Sequence, residues 1–140
     1  MALRPYLNFD GNCREAFTRY KEIFGGELMV MSMADMPAGE EPVPAEQADL
    51  VMHASLTWGD DNLLMGSDDP TGGYEKPRGT YASYSQGDPD ESKRVFEALA
   101  EGGEVAMPIA PTFWSPMFGM CTDKFGTPWM IDTDNPDFQP

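Results

Sequence analysis

GGELMVM, residues 25–31, and GGEVAMP, residues 102–108, are two versions of one pattern. Each opens with a pair of glycines, then a glutamate, then a short apolar run, and each follows an amphipathic segment. The second copy begins 77 residues after the first (25 to 102) in a chain of 140. Glycine takes the left-handed conformation that ends a helix at little cost, so each pair reads as a helix stop followed by a strand. This spacing predicts one module written twice.

Before the first pair, Cys13, Ala16, Phe17, Tyr20, Ile23 and Phe24 recur at helical spacing, with Arg14, Arg19, Lys21 and Glu22 on the other side. Asn12 with Glu15 three residues on reads as a capping box. Upstream, residues 3–9 (LRPYLNF) alternate at strand period, with Pro5 unable to donate in a ladder. After the pair, residues 27–33 predict a strand with Met29, Met31 and Met33 on one face. Such a stripe reads first as core filling and otherwise as the wall of an adaptable apolar pocket. Residues 34–48 are a long Pro-rich and acidic loop of the kind often used as a lid. Residues 49–58 alternate again, with His53 expected to share a face with Val51 and Ser55. The turn at residues 59–62 leads to a return strand over 63–66.

The second half repeats the order. Residues 79–86 predict a strand. Asp88, Pro89 and Glu91 read as cap, first helical residue and box partner. Ser92, Val95, Phe96 and Leu99 form the buried stripe. Residues 104–107 are the next strand, 108–116 a loop with Phe113 and Trp114, and 117–122 with 128–132 a second hairpin. The tail, TDNPDFQP, reads as polar and frayed. The fold class is therefore α+β: two βαβββ modules, each a curved mixed sheet with one helix, over about 3–67 and 79–133. A linker at 68–78 joins them within a single domain, 1–140. Two such units are expected to form a cleft, a natural place for a small ligand.

Composition narrows the function. A formal net charge of −15 opposes nucleic acid, which needs clustered Lys and Arg. No apolar run approaches the ~20 residues of a membrane span, and no secretory leader is visible, so the chain reads as cytoplasmic and makes no membrane contact. Cys13 and Cys121 are too few for a disulfide framework and read as buried free thiols, in keeping with a reducing compartment.

PYLNFDGNCREAFTRYKEIFGGEL (5–28), HASL (53–56), LLMGSD (63–68) and GMCTDKFGTPWMID (119–132) together resemble the vicinal oxygen chelate superfamily of glyoxalases, bleomycin-resistance proteins and extradiol dioxygenases. More narrowly they resemble its PhnB-like branch, sometimes labelled 3-demethylubiquinone methyltransferase-like. The resemblance implies the glyoxalase/bleomycin-resistance fold. It also implies a divalent metal held by His, Glu or Gln from the first and last strands of each module. Those positions fall here near Pro5, near Met65 or Gly66, near Tyr81 or Ser83, and near Met130, none of them a good ligand. Asp68 and Asp132 lie nearby but would make at best a weak oxygen site. The expectation is no metal and no other cofactor.

The candidate ligand residues are His53, Tyr81, Trp114 and Met31. His53, the one histidine, is also the candidate catalytic base. Among the aromatic residues (Tyr6, Trp58, Tyr81, Tyr84, Phe113, Trp114, Phe118 and Trp129), Trp114 stands apart because its loop is bounded by Pro111 and Pro116. The leading expectation is a homodimer that binds a small, cationic or aromatic molecule in the cleft between modules without the usual metal. The alternatives are a metal-dependent lyase, isomerase or dioxygenase, and a structural or partner-binding dimer.

Overall fold

The computed structural model describes residues 2–35 and 43–138. The chain divides into two units, Met1–Glu75 and Lys76–Pro140. The first contains β1 (Tyr6–Phe9), α1 (Cys13–Phe24), β2 (Glu27–Ser32), β3 (Val51–Trp58) and β4 (Asn62–Asp68). The second contains β5 (Ala82–Gln86), α2 (Pro89–Ala100), β6 (Glu104–Ala110), β7 (Phe118–Thr122) and β8 (Pro128–Thr133). The strand orders are β1-β4-β3-β2 and β5-β8-β7-β6. In each sheet the first strand runs parallel to the last strand of its unit, and the other pairings are antiparallel. Two mixed sheets, each with one helix, are the βαβββ duplication the glycine pairs predict.

Both helices bury the stripes read from the sequence: Cys13, Ala16, Phe17, Tyr20 and Ile23 in α1, and Ser92, Val95, Phe96 and Leu99 in α2. The first stripe packs on Phe9, Val51, Ala54, Leu56 and Leu64, the second on Cys121, Trp129 and Ile131, all buried. A large apolar side chain taken fully out of water contributes about 1.5–3 kcal/mol, so each layer holds its own unit together.

Several local expectations are corrected. The first strand starts at Tyr6 rather than residue 3, since Pro5 has no amide to give the ladder. The Asn12 side chain makes no cap hydrogen bond. Instead Asp68, at the end of β4, accepts from the Cys13 amide at 2.9 Å and from the Val51 amide at 2.8 Å, so a carboxylate from another strand caps α1. Asp68 thus belongs to β4, not to the linker. Asp88 does cap α2, accepting from the Asp90 amide, but Glu91 pairs with Arg94 and leaves the box unmade. β6 runs on through Pro108 to Ala110, which a proline at the edge of a sheet permits. Of the long loop, residues 36–42 lie outside the described residues; short 3-10 turns stand on either side, at Met33–Asp35 and Ala45–Gln47. The tail is tied through residue 138: the Asp134 amide donates to the Gln86 carbonyl and the Asn135 amide group to the Trp114 carbonyl. Among the described residues no helix is long and apolar enough to cross a membrane.

Candidate functional site

In the first unit one face of the sheet carries α1 and the other does not. The register identifies the second face. Tyr6 pairs with Met65, Met65 with Ser55, Ser55 with Met29, and His53 with Met31. Side chains alternate along a strand, so these residues share the side away from the helix-facing Phe9, Ala54, Leu56 and Leu64. Met29 and Met31 therefore leave the helix-packed core, Met29 with 53% of its surface exposed. Val51 is fully buried and does not share a face with His53 as expected. The reason is a bulge: the register passes from Met31↔His53 to Ser32↔Val51, and the extra residue, Met52, reverses the alternation.

On this helix-free face the Tyr6 hydroxyl and His53 Nδ1 are hydrogen-bonded at 3.1 Å, with their rings stacked at 5.7 Å between centroids. Which of the two donates depends on the imidazole tautomer, and in either case Nε2 is the ring's second functional atom. Met65 and Met31 are the cross-strand neighbours of Tyr6 and His53, and Met29 follows on the same face opposite Ser55. The arrangement is a polar handle in a soft, polarisable, adaptable apolar field, suited to a small molecule with an apolar body and a single donor or acceptor.

The parallel pairings also decide how well a metal would fit. They set Tyr6, next to Pro5, beside Met65 and set Ser83 beside Met130, at or next to the positions from which the resemblance implies metal ligands. A phenol, two thioethers and a hydroxyl offer neither carboxylate nor imidazole, and hard or borderline divalent ions favour those donors. Asp68, three residues after Met65 on the same strand, already accepts from two backbone amides. Among the described residues no three His, Cys, Asp or Glu side chains lie grouped for a metal. These residues do not fit the implied ion.

In the second unit, Trp114 sits on the loop between β6 and β7 and lines a pocket with Ser85, Asp132, Asp134, Asn135 and Phe138. Tyr81 precedes β5, is 42% exposed, and does not line that pocket. Of the four residues singled out in the sequence, the structure thus brings His53 and Met31 together as cross-strand partners and places Trp114 and Tyr81 in the other unit. It adds Tyr6, Met65 and the acidic pocket residues. Alternation alone could have put Tyr6 on the same face as the third-strand histidine, but the β1-β4-β3 order that joins them is not written locally.

Comparison with known proteins agrees with this architecture. The model of the Glyoxalase/Bleomycin resistance protein/Dioxygenase superfamily matches residues 4–131. Protein YjdN of Escherichia coli (strain K12) is 35% identical over 140 residues, spanning 94% of this chain and 95% of its own. The crystal structure of protein PA1353 from Pseudomonas aeruginosa is 45% identical with a TM-score of 0.82, over 96% of this chain and 98% of that one. A Bacillus cereus PhnB protein, described as a putative 3-demethylubiquinone-9 3-methyltransferase, shares the fold. Its TM-score is 0.73 and its identity 23%, over 96% of this chain and all (100%) of that one. Sequence motifs, strand topology and these matches converge: the chain belongs to the glyoxalase/bleomycin resistance protein/dioxygenase superfamily.

Proposed function

We propose that this chain binds a small molecule on the helix-free face of its first sheet and works without a resident divalent metal. The observation that carries the reading is the Tyr6–His53 hydrogen bond of 3.1 Å set among Met29, Met31 and Met65. A binding face needs a few placed polar groups in an apolar surround, and this one has them. At or next to the positions where the resemblance implies metal ligands stand Pro5, Tyr6, Met65, Ser83 and Met130, whose side chains suit a ligand's apolar body better than an ion. Methyl transfer, the activity in the name of the Bacillus cereus protein, finds no support in this chain. The usual S-adenosylmethionine fold requires a parallel sheet with a Gly-rich turn after a strand. Here each sheet has one parallel pair, and the glycine pairs follow helices.

The test is a screen of neutral and cationic aromatic molecules by thermal melting and tryptophan fluorescence, repeated on Tyr6→Phe and His53→Ala. A ligand at a hundred times its Kd raises stability by about 2.7 kcal/mol, well within the reach of a melting shift. The expected result is a hit in the parent protein that weakens in both variants. No shift across the panel would favour a structural or partner-binding dimer. Elemental analysis after incubation with nickel, manganese, iron or zinc completes the test. One bound metal per chain would return the metal-dependent lyase, isomerase or dioxygenase reading.

A further inference from the structure

The second unit holds a pocket lined by Ser85 of β5 and by two further segments that are locked to each other. The 111–117 loop is pinned by the buried Ser115: the Thr112 amide donates to its carbonyl at 2.9 Å, and its hydroxyl oxygen accepts from the Thr133 amide at 3.3 Å. The segment after β8 is joined to the same loop, Asn135 Nδ2 donating to the Trp114 carbonyl at 3.3 Å. Edge-to-face contacts brace the aromatic residues. Trp114 meets Phe113 at 4.8 Å and Phe118 at 5.3 Å between centroids, and Phe113 meets Phe138 at 6.2 Å. The cavity measures about 630 Å³, within the range of ~300–1,000 Å³ usual for small-molecule sites.

The lining has a definite chemistry. Trp114 and Phe138 give it aromatic surface, and Asp132 and Asp134 give it two carboxylates. Both carboxylates are oriented by neighbours: Asp132 Oδ1 accepts from the Thr133 amide at 2.8 Å, and Asp134 Oδ1 accepts from the Ser85 hydroxyl. Among the described residues none that lines the pocket is basic. We infer that this pocket is a binding site for an organic cation, a protonated amine or quaternary ammonium carried on an apolar body. The aromatic faces attract the cation through the ring quadrupole. The carboxylates compensate its charge, and the same carboxylates, within a chain of net charge −15, repel an anion of equal size. The inference shares with the proposed function only the premise that the chain binds a small molecule; it rests on other residues.

Calorimetric titration separates the two. The probes are tetramethylammonium, benzyltrimethylammonium and tryptamine as cations, and benzoate as the anionic control. The proteins are the parent chain, Trp114→Leu, the double variant Asp132→Asn with Asp134→Asn, and Tyr6→Phe. At least one cation is expected to saturate one site per chain and benzoate none. Affinity is expected to fall roughly tenfold in Trp114→Leu and at least as far in the double variant, and to hold in Tyr6→Phe. If Trp114→Leu does not fold, the near-isosteric double variant decides. The inference is overturned if no cation saturates, if benzoate binds as well, or if binding ignores the pocket variants. A cation lost only in Tyr6→Phe would overturn it while leaving the proposed function standing.

Discussion

Asp68 shows how one buried side chain ties sequence-distant parts of a unit together. It is 3% exposed, and its two oxygens accept from the amides of Cys13 and Val51, the first residues of α1 and β3. In Asp68→Asn the amide NH2 must face one of those N–H groups, so one buried donor loses its acceptor. The expected cost is about 1–3 kcal/mol in urea unfolding, with Asp68→Ala, which strands both amides, costing more. An Asn variant as stable as the parent would refute the capping role. The two thiols make a second test. Burial, with Asp68 next in effect, pushes Cys13 from 9.0 up to about 12; burial, with Asp123 next, pushes Cys121 to about 11. Below pH 9 both folded and unfolded chains keep these protons, so the thiols leave stability unchanged. Above it the unfolded chain releases them while the native one holds them, and stability falls as pH rises toward 11–12. Alkylation by iodoacetamide at pH ~8 should accordingly be far slower in the native protein than in urea, because only the thiolate reacts. Equal rates would show that the thiols are accessible.

At the scale of elements, the paired glycines do two different jobs. Gly25 ends α1 at φ 76°, its amide donating to the Lys21 carbonyl, and a Cβ there would meet nothing within 4 Å. Gly26 passes so close over β3 that a Cβ would lie 1.9 Å from the Thr57 carbonyl oxygen. Gly103 does the same in the second unit, 2.1 Å from the Thr122 carbonyl oxygen, without needing a positive φ. Gly25→Ala should therefore meet no clash and cost only backbone strain, since its positive φ with an extended ψ of −156° is a region essentially reserved for glycine, about 1–3 kcal/mol. Gly26→Ala and Gly103→Ala must move backbone and should cost more than about 4 kcal/mol, among the largest single-residue effects. Urea midpoints for the three variants check this, and equal losses would remove the distinction. The glycines show why so much of the fold is legible in the sequence. Helix stripes, stops and alternating strands are local patterns of residue type, and they locate the two α-helices and eight strands of the described residues to within a few residues. The bulge at Met52, the Asp68 cap and the Tyr6–His53 pair are not legible, because each depends on which strands become neighbours. Met31 and His53 read as separate candidates in the sequence and are partners in the fold. Asp132 reads there only as a metal neighbour, because its pocket joins strand residues to a loop and a tail that carry no periodic signal.

For the whole molecule, net charge acts on stability independently of the packing in either unit. With 24 acidic against 9 basic residues, the native chain holds its like charges closer together than the unfolded chain does. That self-repulsion weakens the compact state. Salt screens it: the Debye length shrinks from about 30 Å at 0.01 M to about 3 Å at 1 M. The melting temperature is therefore expected to climb by several degrees as NaCl is raised across that range, most steeply at the low end. A flat or falling curve would mean that the carboxylates lie too far apart to repel. The same screening acts on association. The homodimer expected for this chain would join two surfaces of the same sign, so low salt should oppose it. Light scattering at micromolar concentration is expected to give twice the 15.5 kDa chain mass in ~0.15 M NaCl and to drift toward one chain as salt is removed. A single-chain mass at every salt concentration would exclude the dimer. Binding of an organic cation in the Trp114 pocket is expected to run the other way and weaken with salt. Opposite salt slopes for ligand and partner would then trace both effects to the chain's net negative charge.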